Sequence, residues 1–328
     1  MKKIWDKLPK NFFCLAPMSD VTDPAFRRII AKYSKTNKNN NLVLWTEFVS
    51  ADGLASPGRE ILKNNLVFSQ KEKPIIVQLF GANPSKMRIA SSCVATLGFD
   101  GIDINMGCPD KAIERQGAGS SLIKNPQLAG LLIEAIRDGI KDSGKKNLSV
   151  SVKTRIGYNK EQIDEWIPFL LSCQIDALTI HARTRKELSK AKANWNNIKR
   201  VVEIRNKMKV KTKIIGNGDV TSLKQARNLM KQTGCDGVMI GRGVFGNPWF
   251  FNPSQKKIKL DEKLKVLVEH TKLFEKLLGK TKSFAVMKKH FKAYVNDFSG
   301  AKELRLKLME TNNAKEVEKI VFAFLKKK

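Results

Sequence analysis

The stretch GFDGIDIN at residues 98–105 reappears in outline as QIDALTIH at 174–181 and as GCDGVMIG at 234–241. In each, an aspartate (Asp100, Asp176, Asp236) stands just before a short apolar run that ends on a glycine or a polar side chain. Runs this short read as strands. Their echo predicts equivalent units of one repeating architecture. Working outward, comparable runs occupy Phe12–Ala16, Leu42–Thr46, Ile75–Leu79, Gly101–Ile104, Leu148–Val152, Ala177–Ile180, Lys213–Ile215 and Gly237–Ile240, eight in all. Segments of helical period lie between them, including Pro84–Thr96, Pro126–Lys141, Glu161–Leu171 and Leu223–Gln232. The first two open with proline, whose missing N–H costs nothing in a first turn. Eight βα units in about 250 residues predict a TIM (β/α)8 barrel, assigned to residues 1–252.

After Pro253 the apolar spacing is helical only, in Leu264–Leu278, Phe284–Val295 and Val317–Leu325. Residues 253–328 are therefore expected to form a small all-α C-terminal domain. The 328-residue chain carries 61 Lys and Arg against 31 Asp and Glu, a formal charge of +30. From Asn252 onward the balance is 20 basic to nine acidic side chains, about twice the charge density of the barrel. Such an excess favours a phosphate backbone, the alternative being the solvated helix faces of a lysine-rich protein.

The five cysteines (Cys14, Cys93, Cys108, Cys173, Cys235) are odd in number and form no C-x-x-C pair. That spacing suggests neither a metal knuckle nor a redox dithiol, so no metal is expected. Cys14, Cys93, Cys173 and Cys235 read as small buried hydrophobes. No run approaches membrane-spanning length, and Pro9 and Lys10 interrupt the apolar N-terminus. The expectation is a cytoplasmic protein, monomeric, with no obligate protein partner.

Active sites of this fold lie at the C-terminal ends of the strands. Those ends deliver, in order, Pro17-Met18-Ser19, Glu47, Gln78, Asn105 with Cys108, Lys153 with Arg155, His181 with Arg183, Asn217-Gly218-Asp219, and Gly241-Arg242. A single lysine or histidine at a strand end signifies little. A polar residue from every strand at one mouth signifies a site. Gly241 to Gly246 also fits G-x-G-x-x-G, with Asp261 twenty positions on. A dinucleotide fold needs a helix and a second parallel strand next, whereas this chain continues NPWFFNP and turns helical. The glycines are better read as the loop after strand eight, which together with Gly216–Asp219 makes a phosphate site in many barrels. Arg242 would add a charged fork there.

The segments APMSDVTDPAFR, PIIVQLFGANP, DINMGCPDKAIERQGAGSSL, SVKTRIGY, IHARTR, IIGNGDV and GVMIGRG occur in this order. Together they resemble the tRNA-dihydrouridine synthase family over essentially the whole chain, and MKKHFKAYVNDFSGAKELRLKLM resembles that family's tRNA-gripping helical domain. The resemblance implies an FMN enzyme that reduces the C5–C6 double bond of particular tRNA uridines with electrons from NADPH or NADH. Carried over residue by residue, it puts Pro17, Met18 and Ser19 beside the flavin. Gln78 would pair with the polar edge of the flavin ring, Lys153 would lie near its pyrimidine carbonyl, and His181 would touch the cofactor. Asn217, Gly218, Asp219, Gly241 and Arg242 would hold ribityl and phosphate. Asn105 would meet the uridine and Arg183 the RNA. The chain departs from the family at Lys186-Glu187-Leu188-Ser189-Lys190, where an aromatic residue is frequent.

Physical chemistry supports several of these roles. A fixed ammonium at Lys153 stabilises the negative charge of a reduced flavin. Asn105 offers a donor and an acceptor, as an imide edge requires. Saturating an enone-like ring takes a hydride on one carbon and a proton on its neighbour, so a general acid must face the flavin across the base. Cys108 is the residue expected to give that proton to C5, which requires a thiol that stays protonated near neutral pH. The competing reading is a barrel flavoenzyme acting on a free pyrimidine, of the dihydroorotate dehydrogenase type. The basic helical tail argues against it.

Overall fold

The computed structural model describes residues 3–35, 41–252 and 258–327. Eight parallel strands close a barrel in sequential order: β1 (Phe12–Leu15), β2 (Leu42–Ser50), β3 (Ile75–Phe80), β4 (Gly101–Met106), β5 (Ser149–Arg155), β6 (Ala177–His181), β7 (Lys213–Asn217) and β8 (Gly237–Ile240). β8 returns to pair with β1, with Phe13 opposite Val238. Helices alternate with the strands, as the periodicity predicts.

The repeated aspartates have a mechanical role. Asp100 accepts the N–H of Ile75, Asp176 that of Val150 and Asp236 that of Ile214, at 2.8–2.9 Å. The backbone N–H of each aspartate donates in turn to the carbonyl of the same residue. Each even strand from β4 onward thus begins by clasping the odd strand before it. A second device starts three helices. Asp23, Asn83 and Asn125 cap the N-termini of Pro24–Ser34, Pro84–Ala95 and Pro126–Asp142, each accepting the N–H three residues on while proline fills the first turn.

One large apolar cluster lies between the strands and their helices. A smaller one, including Trp5, Phe12, Val43, Trp45, Ile76 and Met239, is closed by Trp5, whose indole donates to Ser149 at 2.7 Å. The tail forms a third, from the Leu260–Leu278, Lys288–Tyr294, Ala301–Met309 and Ala314–Leu325 helices. This third cluster includes Ala25 and Ile29 of the barrel's first helix and Trp249 after β8. The tail's core is therefore shared with the barrel.

The structure departs from the sequence expectations at several points. β2 runs to Ser50 because a register shift between Trp45 and Phe48 lets pairing resume past the polar Thr46 and Glu47. Phe284–Val295 is a 3-10 turn, Phe284–Met287, followed by the Lys288–Tyr294 helix. The Pro24–Ser34, Asn196–Lys207 and Ala301–Met309 helices have no counterpart among the helical segments named from sequence. Cys14 and Cys235 are buried, but Cys93 and Cys173 are only half-buried. The boundary expected at Pro253 lies outside the described residues on its C-terminal side. No described helix is long and apolar enough to cross a membrane.

Candidate active site

A cavity of about 500 Å³ opens at the C-terminal ends of the strands. Ten of the residues expected at a site line it: Pro17, Met18, Lys153, His181, Arg183, Asn217, Gly218, Asp219, Gly241 and Arg242. Ser189, in the loop that departs from the family pattern, also lines it. Ser19 is exposed, and neither it nor Gln78, Asn105 or Cys108 is part of this lining.

Lys153 projects from β5. Burial drives its pKa down to about 8, Arg155 adds to the effect, and Asp103 and Cys108 oppose it. Its ammonium makes no hydrogen bond to any described residue. His181, ending β6, is pushed down to about 2 by burial and by Lys153, Arg155, Arg183 and Arg242. Its Nε2 lies 3.1 Å from Arg183 Nη1. A guanidinium can only donate, so Nε2 accepts and the neutral ring carries its proton on Nδ1.

The wall after β7 and β8 is built around Asp219, a residue at φ +53°. Its carboxylate binds Arg183, accepts the Ala193 N–H at 2.9 Å and holds Arg242 at 3.1 Å. Arg183, only 3% exposed, spends the rest of its fork on His181 and on the Ala191 carbonyl. Arg183 thus braces this wall while also lining the cavity, with three of its five N–H donors committed. Arg242 is 67% exposed at the side chain and stands over the cavity. A Cβ added to Gly241 would meet only Met18 Sδ at 3.5 Å and Ala16 Cβ at 3.6 Å, ordinary contacts. The bare backbone therefore leaves room on the cavity side that the protein itself does not need.

A polar chain lies deeper, across β3, β4 and β5. Gln78 is fully buried and donates from Nε2 to Asp103 at 2.7 Å, and Ser151 donates to the other Asp103 oxygen at 2.5 Å. Asn105 donates to Gln78 at 3.0 Å, while its own amide oxygen accepts the N–H groups of Gly107 (3.1 Å) and Cys108 (2.9 Å). Asn105 thus also shapes the cysteine turn. One amide N–H stays uncommitted. Asp103 is a residue the sequence reading missed. Burial raises it to about 6 against bonds from Gln78 and Ser151 and the charge of Lys153. Its signal was an acid inside an apolar strand.

The Cys108 loop is held from both sides. Ser120 donates to the Cys108 carbonyl through both its N–H (2.9 Å) and Oγ (2.8 Å), and Oγ also lies 2.8 Å from Glu114. Glu114 in turn binds the fork of Arg185, and Arg155 donates to the Gly107 carbonyl at 2.8 Å. Burial raises the Cys108 pKa, and the Asp110 backbone N–H opposes it. The half-buried thiol is thereby kept protonated near neutral pH, close enough to Lys153 for their charges to couple.

The family model described as dihydrouridine synthase (Dus) matches residues 14–328. This chain belongs to the dihydrouridine synthase family. A protein of Staphylococcus aureus (strain MRSA252) named "Probable tRNA-dihydrouridine synthase" is 36% identical over 326 residues, covering 98% of this chain and 96% of that protein. The Bacillus subtilis (strain 168) protein named "Probable tRNA-dihydrouridine synthase 2" is 36% identical over 329 residues, covering 99% and 98%. Among solved structures, histamine dehydrogenase from Rhizobium sp. 4-9 superposes with a TM-score of 0.52 at 14% identity. That match covers 80% of this chain and about half, 49%, of the other protein, and shows the fold alone.

Proposed function

We propose that this member of the dihydrouridine synthase family is a flavin-dependent enzyme that reduces the C5–C6 bond of uridines in tRNA, with NADPH or NADH as electron source. The observation that carries the reading is Lys153, a half-buried ammonium in the cavity wall, its pKa lowered by desolvation, without a hydrogen-bond partner among the described residues. Such a group needs an anionic or carbonyl ligand to offset its burial. Flavin mononucleotide fits the residues around it. Bound there, it would supply the hydride.

This chain's own residues do the rest. Lys153 and the Nδ1–H of His181 offer positive charge and a donor to the polar side of the ring. The bare backbone at Gly241 and the fork of Arg242 suit a terminal phosphate. Pro17 and Met18 border the ring, and Asn217, Gly218 and Asp219 shape the wall beside the ribityl chain. Cys108 holds the proton destined for C5. Gln78, Asp103 and Asn105 keep Lys153 and the cysteine turn in register from behind. The barrel, residues 1–252, carries the chemistry, and residues 253–328 grip the RNA, in the cytoplasm and as a monomer.

The deciding experiment compares Cys108→Ala with the parent after purification. The parent should release FMN on denaturation and reduce tRNA far better than free uridine, since the target base must leave its stack at ~a few kcal/mol that RNA contacts offset. The variant should keep flavin and its reduction by nicotinamide yet lose uridine reduction by ~10²–10⁴-fold. Parent-level turnover in the variant would remove Cys108 as the acid. Equal activity on free uridine and tRNA would favour the free-pyrimidine reading.

A further inference from the structure

The opposite end of the barrel, where the strands begin, carries three adjacent hollows of about 290, 390 and 360 Å³ with shared walls. The first two share Trp5 and Lys213, and the second and third share Lys3, Gln174 and Asp176. Lys10 lines the first, Lys211 the second, and Lys141, Lys145 and Lys146 the third. None of these five has a salt-bridge partner among the described residues. The carboxylates of the groove are Asp6, Asp176 and Asp236. Asp176 is taken by Lys3 and the Val150 N–H, and Asp236 by Arg205, Lys213 and the Ile214 N–H. Five unpaired cations therefore face one unpaired acid, Asp6. Lys141, in the last turn of its helix, complements the helix dipole. Lys10, Lys145, Lys146 and Lys211 belong to no helix, so that explanation does not reach them.

We propose that this groove is a second RNA site, which holds a double-helical phosphate backbone without reading its bases. A row of adjacent hollows, each edged by an unpaired lysine, suits a chain of phosphates rather than a single anion. Base stacking is not available, because the aromatic rings of the lining, Trp5 and Phe12, are 4% and 2% exposed. An anionic membrane fits less well, since lipid surfaces are gripped by inserted apolar side chains. The large hydrophobics exposed on this protein, such as Ile61, Ile89 and Leu131, lie outside the groove. A stem bound here lies at the far end of the barrel from the Lys153 cavity, so it is not the segment presented for chemistry. The inference does not depend on the reaction proposed above.

The test uses the full chain and an RNA hairpin with a G·C-only stem and no uridine, which offers the catalytic cavity no target. In Lys145→Glu/Lys146→Glu/Lys211→Glu, hairpin affinity at physiological salt should fall at least tenfold. The slope of log affinity against log salt should flatten by about 3, one unit per lost phosphate contact. Uridine reduction in tRNA should not change. A control, Lys199→Glu/Lys224→Glu/Lys231→Glu, makes the same charge change on outer barrel helices and should leave most of the hairpin affinity. Equal loss in both triples would reduce the effect to net charge and overturn the site, as would an unchanged hairpin affinity in the first. Loss of binding to phosphatidylglycerol vesicles with hairpin binding intact would assign the groove to a membrane instead.

Discussion

Lys282 Nζ lies 2.9 Å from each carboxylate oxygen of Glu47, joining the helical tail to the second strand of the barrel. The pair is nearly buried, at 14% and 5% side-chain exposure. Burial alone would lower the lysine pKa, yet Glu47 and Asp20 raise it. Glu47 also accepts the Asp20 N–H at 2.6 Å, so the lysine indirectly braces the turn that follows Pro17 and Met18. Removing one partner of a buried pair strands the other. Lys282→Met should therefore cost on the order of 3 kcal/mol in urea unfolding, with Lys282→Met/Glu47→Gln recovering part of it. A loss within error of zero would show the contact to be idle. The same geometry makes deletion of the tail a poor test of RNA binding, because Ala25, Ile29 and the Glu47 charge would be uncovered together.

His270 and His290 meet at 4.7 Å between ring centroids, fully buried against Phe26, and none of their four ring nitrogens has a partner among the described residues. Burial holds His270 down to about 3 and His290 well below its ordinary value. The unfolded chain takes up protons that the fold refuses, so stability present above pH 6.5 is lost as pH falls. Each histidine contributes roughly 1.4 kcal/mol per pH unit. Asp23 and Asp103, raised to about 6, act in the opposite sense, favouring the fold below pH 4 and losing that contribution as pH rises through 6. His290→Leu isolates the first effect. Between pH 4 and 6.5 the signed slope of unfolding free energy against pH should be lower in the variant than in the parent by about 1.4 kcal/mol per pH unit, with pH 7 stability little changed.

Lys153 near pKa 8 would give the proposed flavin binding a pH limit. On that proposal its charge meets the ligand, so FMN affinity measured by fluorescence quenching should weaken as pH rises through 8. Lys153→Met should bind at least tenfold more weakly at pH 7 and lose that pH dependence. A pH-independent affinity in the parent would mean the ammonium does not face the ligand.

The barrel was legible because its signals are local: three aspartates before apolar runs and Asx-Pro at helix starts, each satisfying backbone groups within a few residues or in the next strand. The mouth was legible as a set, since polar residues at successive strand ends have nowhere else to converge. Individual roles were less so. Asn105 and Arg183 carry the right chemistry for a ligand, but the Asn105 amide oxygen also accepts from Gly107 and Cys108, and Arg183 also donates to Asp219 and Ala191, partners that only tertiary structure names. Glu47 looked like a site residue and proved to be the anchor for a lysine 235 positions away. Long-range pairing of that kind leaves no periodic trace in the sequence.

Gly119 sets the geometry on which the chemistry proposed for Cys108 depends. It sits at φ +62°, and a Cβ there would lie 2.8 Å from the Cys108 carbonyl oxygen and 2.9 Å from Ile113 Cγ2. The carbonyl cannot easily retreat, because both the N–H and the hydroxyl of Ser120 hold it. Gly119→Ala therefore combines left-handed backbone strain with a backbone clash, a cost of ~1–3 kcal/mol in stability. What relaxes should be the Cys108 turn itself. The expected outcome is a folded protein with parental flavin content, since the residues proposed to hold flavin lie on other loops, and with uridine reduction at least tenfold slower. The alkylation rate of Cys108 by iodoacetamide should change in the same variant, reporting the displaced thiol without recourse to turnover. Parental turnover and alkylation together would show that the turn tolerates a side chain at 119, and that the acid is not placed by this contact.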